Sequence, residues 1–225
     1  MKKFAYYKNL NERQRRLYDR SDAVTSVRVP GSGVADLAVD IATALAADDR
    51  VGTERAAHTL VAAVLEALQV SPVRVRVLAV RPSNHREELH GQYVLGGRRT
   101  QPSITVWMRT AQKKQIVAFR TFYRTLLHEV AHHLDYQLYH FEDSLHTQGF
   151  FKRAESLFDQ LLPAGLDVPK RSRAAAAAAT AMTRTTAGAA ARSRNARATP
   201  ETARRRRRTT PQTTLSFASG SRTTT

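Results

Sequence analysis

Two stretches near the start of the chain, VADLAVDIATALAA (34–47) and ERAAHTLVAAVLEAL (54–68), place apolar side chains three and four apart. That spacing predicts two amphipathic helices joined at DDRVGT, with Ala57, Leu60, Val61, Val64, Leu65 and Leu68 forming one stripe. Thr53 is the expected cap of the second helix, and His58, in its first turn, is expected to be a surface or partly packed residue rather than a ligand. After Ser71 and Pro72 the period changes to two: Val73, Val75 and Val77 alternate with Arg74 and Arg76, which predicts a strand with one wet face. Two more strands are expected around 89–95 (LHGQYVL) and 103–109 (SITVWMR), joined by GGRRTQP as a hairpin connection, so a small antiparallel sheet is predicted. From about Gln112 to Tyr139 the helical period returns without Gly or Pro, and a last helix is expected at about 149–162, ending at Pro163. The fold class is therefore α+β, with an N-terminal helical region over 1–70 packed on a core over 71–169.

Charge divides the 225 residues differently. Residues 1–169 hold 23 Lys and Arg against 18 Asp and Glu, whereas residues 170–225 hold 13 against 1. The latter segment is made largely of Ala, Thr, Arg and Ser and has too few large apolar residues to offset the entropy of ordering, so it is expected to be a disordered basic tail. Its five consecutive arginines, Arg204, Arg205, Arg206, Arg207 and Arg208, suit a polyanion, because each neutralised phosphate releases a counterion. Nucleic acid is the expected partner. The absence of cysteine excludes disulfides and thiolate zinc clusters, leaving nitrogen and oxygen as the donors for any metal. No signal-peptide pattern opens the chain and no run approaches the roughly 20 apolar residues of a membrane span, so a soluble cytoplasmic protein without membrane association is expected.

Candidate chemistry concentrates in the predicted long helix, where LLHEVAHHLDYQ (126–137) contains His128-Glu129-Val130-Ala131-His132, an H-E-x-x-H pattern. Helical residues four apart share a face, so His128 and His132 can present their imidazoles to one metal ion, with Glu129 beside it as general base. A zinc ion with three protein ligands and one open position activates water and polarises a carbonyl. The third ligand must lie downstream, and Asp135, His140, Glu142, His146 and Glu155 are the candidates. Asp135, three residues after His132, is better suited to orient a ligand imidazole than to bind the metal, although it remains an alternative ligand. Glu155, on the last helix, would be the ligand of a gluzincin. His133 points about 100° away from His132 and is expected to pack or face solvent. His146, just ahead of the last helix, can be brought back by a loop and is the preferred third ligand.

With His128, Glu129, His132, His146 and Phe150 or Phe151, the chain resembles the SprT-like and Spartan-like zinc metallopeptidases. In that family H-E-x-x-H is followed by a third zinc histidine and then a Phe at the start of a helix. The resemblance covers about residues 85–162, and related proteases show the same element after a shorter gap. It implies a zincin-like fold, one Zn2+ held by His128, His132 and His146, catalysis through Glu129, and a protein or peptide substrate associated with DNA in the nucleoid. One departure is plain: members often continue into a cysteine zinc ribbon, and this chain has no cysteine. Gln212, Leu215 and Phe217 in QTTLSF look like the short peptides that dock on sliding clamps. Two other readings compete with the protease: a non-catalytic DNA-associated regulatory protein on a zincin-like domain, and a gluzincin of the ImmA/IrrE type cleaving a repressor. Arg98, Arg99 and Arg109, with Trp107 and Tyr93, fall on or between the strands and are kept out of the site.

Overall fold

The computed structural model describes residues 3–163 apart from 32, 83–88 and 98, together with Leu166. These residues form a mixed α+β unit of five α-helices and a three-stranded sheet. The alternating valines build β1 (Arg74–Val80), followed by β2 (Gly91–Val94) and β3 (Ser103–Arg109). The strand order is β1-β3-β2. β2 runs antiparallel to β3, as a hairpin should, but β1 runs parallel to it, with Arg74 opposite Ser103 and Val77 opposite Val106. The sheet is thus mixed rather than antiparallel throughout. Alternation reports which face is buried and carries no information about strand direction. Val75, Val77, Ile104, Val106 and Met108 point into one apolar cluster with the helices, while Arg74 and Arg76 lie exposed on the opposite face.

Helix α1 (Glu12–Ala23) opens with a reciprocal cap between Asn11 and Gln14, and it packs on α5. α2 (Leu37–Ala46) and α3 (Arg50–Ala67) pack on one another, and α3 covers β1. The cap of α3 is Asp49, whose carboxylate accepts the Gly52 N–H at 2.9 Å. Thr53 is instead fully buried within the first turns, its hydroxyl donating to the Asp49 carbonyl at 2.6 Å. A second aspartate ahead of the helix outcompeted the threonine as the acceptor for the free N–H groups.

α4 (Phe119–Gln137) begins later than its apolar period suggests. Residues 110–117 fold back along β3 instead: Val117 N–H donates to Met108 O at 2.7 Å, Thr110 N–H donates to Gln115 O at 2.9 Å, and Ile116 bridges to Arg109. Lys114, at φ 50°, makes the tight reversal. Ile116 therefore joins the core through strand-like pairing, which a helical stripe cannot distinguish from a turn of helix. α5 (Gln148–Leu161) starts at Thr147, whose hydroxyl accepts the Phe150 N–H at 3.0 Å. No helix among the described residues is long and apolar enough to cross a membrane.

Candidate metal centre

The helical period of α4 puts His128 and His132 one turn apart, and the loop between α4 and α5 returns His146 to them. One nitrogen from each of these three residues lies within 4.8 Å of the others, and they are the metal-capable cluster among the described residues. His128 Nε2 and His146 Nε2 are 3.0 Å apart. Nitrogens bound at about 2.0–2.1 Å to one tetrahedral zinc stand roughly 3.4 Å apart, so the donor set fits such an ion after a small adjustment. Phe150 closes the apolar side of the cluster, its ring 4.9, 4.5 and 5.0 Å from the rings of His128, His132 and His146. Phe151 stacks on His146 from the more open side. Burial favours the neutral form of all three imidazoles, holding His128 down to about 3 and lowering His132 and His146. Neutral imidazole is the form that binds a metal.

Glu129 stands beside the cluster and is only 5 % exposed. Its carboxylate accepts the backbone N–H of Tyr93, but burial outweighs this and pushes the carboxyl up to about 8. A nearby cation would pull it down again. The close approach of helix and sheet edge depends on Gly91, where a Cβ would overlap the Glu129 carboxylate and meet Thr125 Cγ2 at 2.7 Å. Any side chain at this position would displace the glutamate from the edge strand.

The remaining candidates fall elsewhere. His133 is fully buried, with Nε2 2.8 Å from Ser71 O and Nδ1 3.2 Å from the Tyr93 hydroxyl. A carbonyl only accepts, so Nε2 carries the proton and Nδ1 accepts from the phenol; both ring nitrogens are committed, and His133 braces α4 against the chain before β1. Asp135 lies behind His132, separated from it by Ser144: Ser144 Oγ is 2.7 Å from His132 Nδ1 and donates to Asp135 Oδ2 at 2.7 Å. Glu155 faces outward in an ion pair with Arg124, and Glu142 pairs with Arg13. His140 and His58 are exposed.

Ser144, Arg153, Tyr93 and Gly91 were not singled out for the site in the sequence. Arg153 alone left a signal, because it interrupts the apolar stripe Phe150, Leu157, Leu161 of α5 where an apolar residue belongs. Tyr93, on β2, turns inward and lies against His132, His133 and Tyr136. Arg109 is paired with Asp48, and Trp107 is buried.

No protein-family model matches the chain, and comparison with curated proteins and with solved structures gives no significant match. The resemblance to SprT-like peptidases therefore rests on the spacing of the residues themselves. Arg204 to Arg208 and Gln212, Leu215 and Phe217 lie outside the described residues, as does Arg98.

Proposed function

We propose that this chain is a zinc-dependent metallopeptidase of the SprT-like type acting on DNA-associated proteins. The observation that carries the proposal is the meeting of three neutral imidazoles with one buried carboxylate at a sheet edge. His128, His132 and His146 would hold the ion, which when bound supplies a Lewis acid for the scissile carbonyl and acidifies water. Glu129 then accepts the proton of the attacking water and returns it to the amide nitrogen as the peptide bond breaks. β2, the edge strand beside Glu129, offers an extended substrate a place to add as a further strand. The basic tract at 204–208 and the QTTLSF peptide would bring the domain to DNA and to a sliding clamp.

Glu155, held by Arg124 away from the histidine cluster, gives the gluzincin alternative no support. Glu129→Gln separates the protease from a non-catalytic DNA-associated protein. The variant is expected to bind zinc and DNA like the wild type while cleavage of an unfolded protein substrate falls by about 100-fold or more, the scale of a lost general base. Cleavage at the wild-type rate, or no cleavage by the zinc-loaded wild type with DNA present, would remove the enzyme reading.

A further inference from the structure

The strongest unassigned feature is a chain of buried polar groups running from α1 to His132. Arg153, 1 % exposed, donates from Nη1 to the carbonyls of Ser21 at 2.6 Å and Val24 at 2.5 Å, which lie at the C-terminal end of α1. Its Nη2 reaches Ser21 Oγ at 3.0 Å and Asp135 Oδ1 at 2.8 Å. The other oxygen of Asp135 accepts the Ser144 hydroxyl, and Ser144 Oγ meets His132 Nδ1. A buried pair of this kind gives up hydration on both sides and is weak evidence of stability for its own sake. Each group does, however, leave the next with a single choice.

The proton positions follow from counting donors. A carboxylate paired with a guanidinium has no proton to give, so the one hydroxyl proton of Ser144 points to Asp135. Ser144 Oγ then has only lone pairs for His132, and Nδ1 must carry the ring proton. An unconstrained imidazole divides its proton between two nitrogens; here it is held on the one away from the cluster, and the Nε2 lone pair is left toward His128 and His146.

We infer that Ser144 and Arg153 are positioning residues for the metal, fixing the tautomer and orientation of His132 through Asp135, with the end of α1 as the anchor. This rests on the reading that the three histidines bind a metal ion. It adds to that reading a dependence of metal affinity on a serine that is not itself a ligand and on the C-terminal end of α1. Asp135 does orient the ligand imidazole, but through a hydroxyl that transmits its charge.

The test uses the full chain and two readouts. Zinc affinity at neutral pH is measured by chelator competition for wild type, Ser144→Ala and Ser144→Thr, and the ring 15N shifts of His132 are recorded on the zinc-free proteins. Ser144→Ala is expected to weaken zinc binding by about 10- to 100-fold, the scale for partners of metal-ligating histidines, and to release the ring proton from Nδ1. Ser144→Thr, which keeps the hydroxyl, is expected to retain both properties. Wild-type zinc affinity in Ser144→Ala, or a His132 proton on Nε2 in the wild type, would overturn the inference. The 15N measurement needs no variant to fold and no metal to bind. A wild-type chain with the Nδ1 proton in place but no affinity for zinc would contradict the proposed function and, with it, the positioning of a metal.

Discussion

Helix α4 is held by two kinds of contact, an apolar one shared with the sheet and a polar one concentrated around Asp135. Toward the sheet and α2 it belongs to one apolar cluster, which includes Ile104 and Val106 of β3 and extends to Leu60, Val61 and Val64 of α3 and Val75 and Val77 of β1. Toward α5, alongside apolar contacts with Phe150 and Phe158, its own Asp135 meets Arg153 and Ser144, which continue through Ser21 to Thr147, polar groups that are each 5 % exposed or less. Apolar burial is non-directional and scales with area, so the first side sets the depth of the helix and tolerates small rotations. Hydrogen-bonded networks are directional and fail when one member is lost, so the second side sets the angle at which a ligand is presented. Of the three clustered histidines, His128 and His132 project from α4, and His132 is the one that the polar contacts reach.

That contrast can be broken most forcefully at Arg153. Arg153→Ala leaves Asp135 buried without its cation and is expected to cost about 3–5 kcal/mol of unfolding free energy. Because Asp135 holds Ser144, it should also lower zinc affinity, as read by chelator competition. Leu60→Ala on the apolar side removes three carbons from a fully buried position and is expected to cost about 2–5 kcal/mol. Denaturant titration should show that loss, with zinc affinity in the folded protein unchanged within about twofold. Equal loss of zinc affinity in the two variants would erase the distinction between the sides. The smallest effect is expected at the rim: Arg13→Ala breaks an exposed ion pair with Glu142 and should change stability by about 0–1 kcal/mol and zinc affinity not at all.

The same contrast explains what could be read from the chain. The apolar side was legible: the stripe of α3, the alternation of β1 and the bounds of β3 follow from period alone. H-E-x-x-H was legible because helical geometry makes a spacing of four into a shared face, and His146 because a loop before a capped helix can return to it. The polar side was not. α1 buries only Leu17 and Tyr18 as apolar residues, with Ser21 and Asp22 beside them, so it has no stripe strong enough to announce where it docks. Ser144 is one of many serines until the loop folds, and its importance comes from two partners at 9 and 12 residues' separation. Strand direction and the late start of α4 were hidden for a related reason, since Val77 and Ile116 are buried or paired equally well by more than one topology.

The central claim is that His128, His132 and His146, and not His133 or Glu155, hold one zinc ion beside Glu129. Zinc stoichiometry after dialysis, measured on the full chain for the wild type, His146→Ala, His133→Gln and Glu155→Ala, tests it most directly. The account predicts one zinc per chain in the wild type, its loss in His146→Ala and its retention in the other two. A wild-type chain that binds no zinc, or zinc kept by His146→Ala and lost by Glu155→Ala, would contradict it.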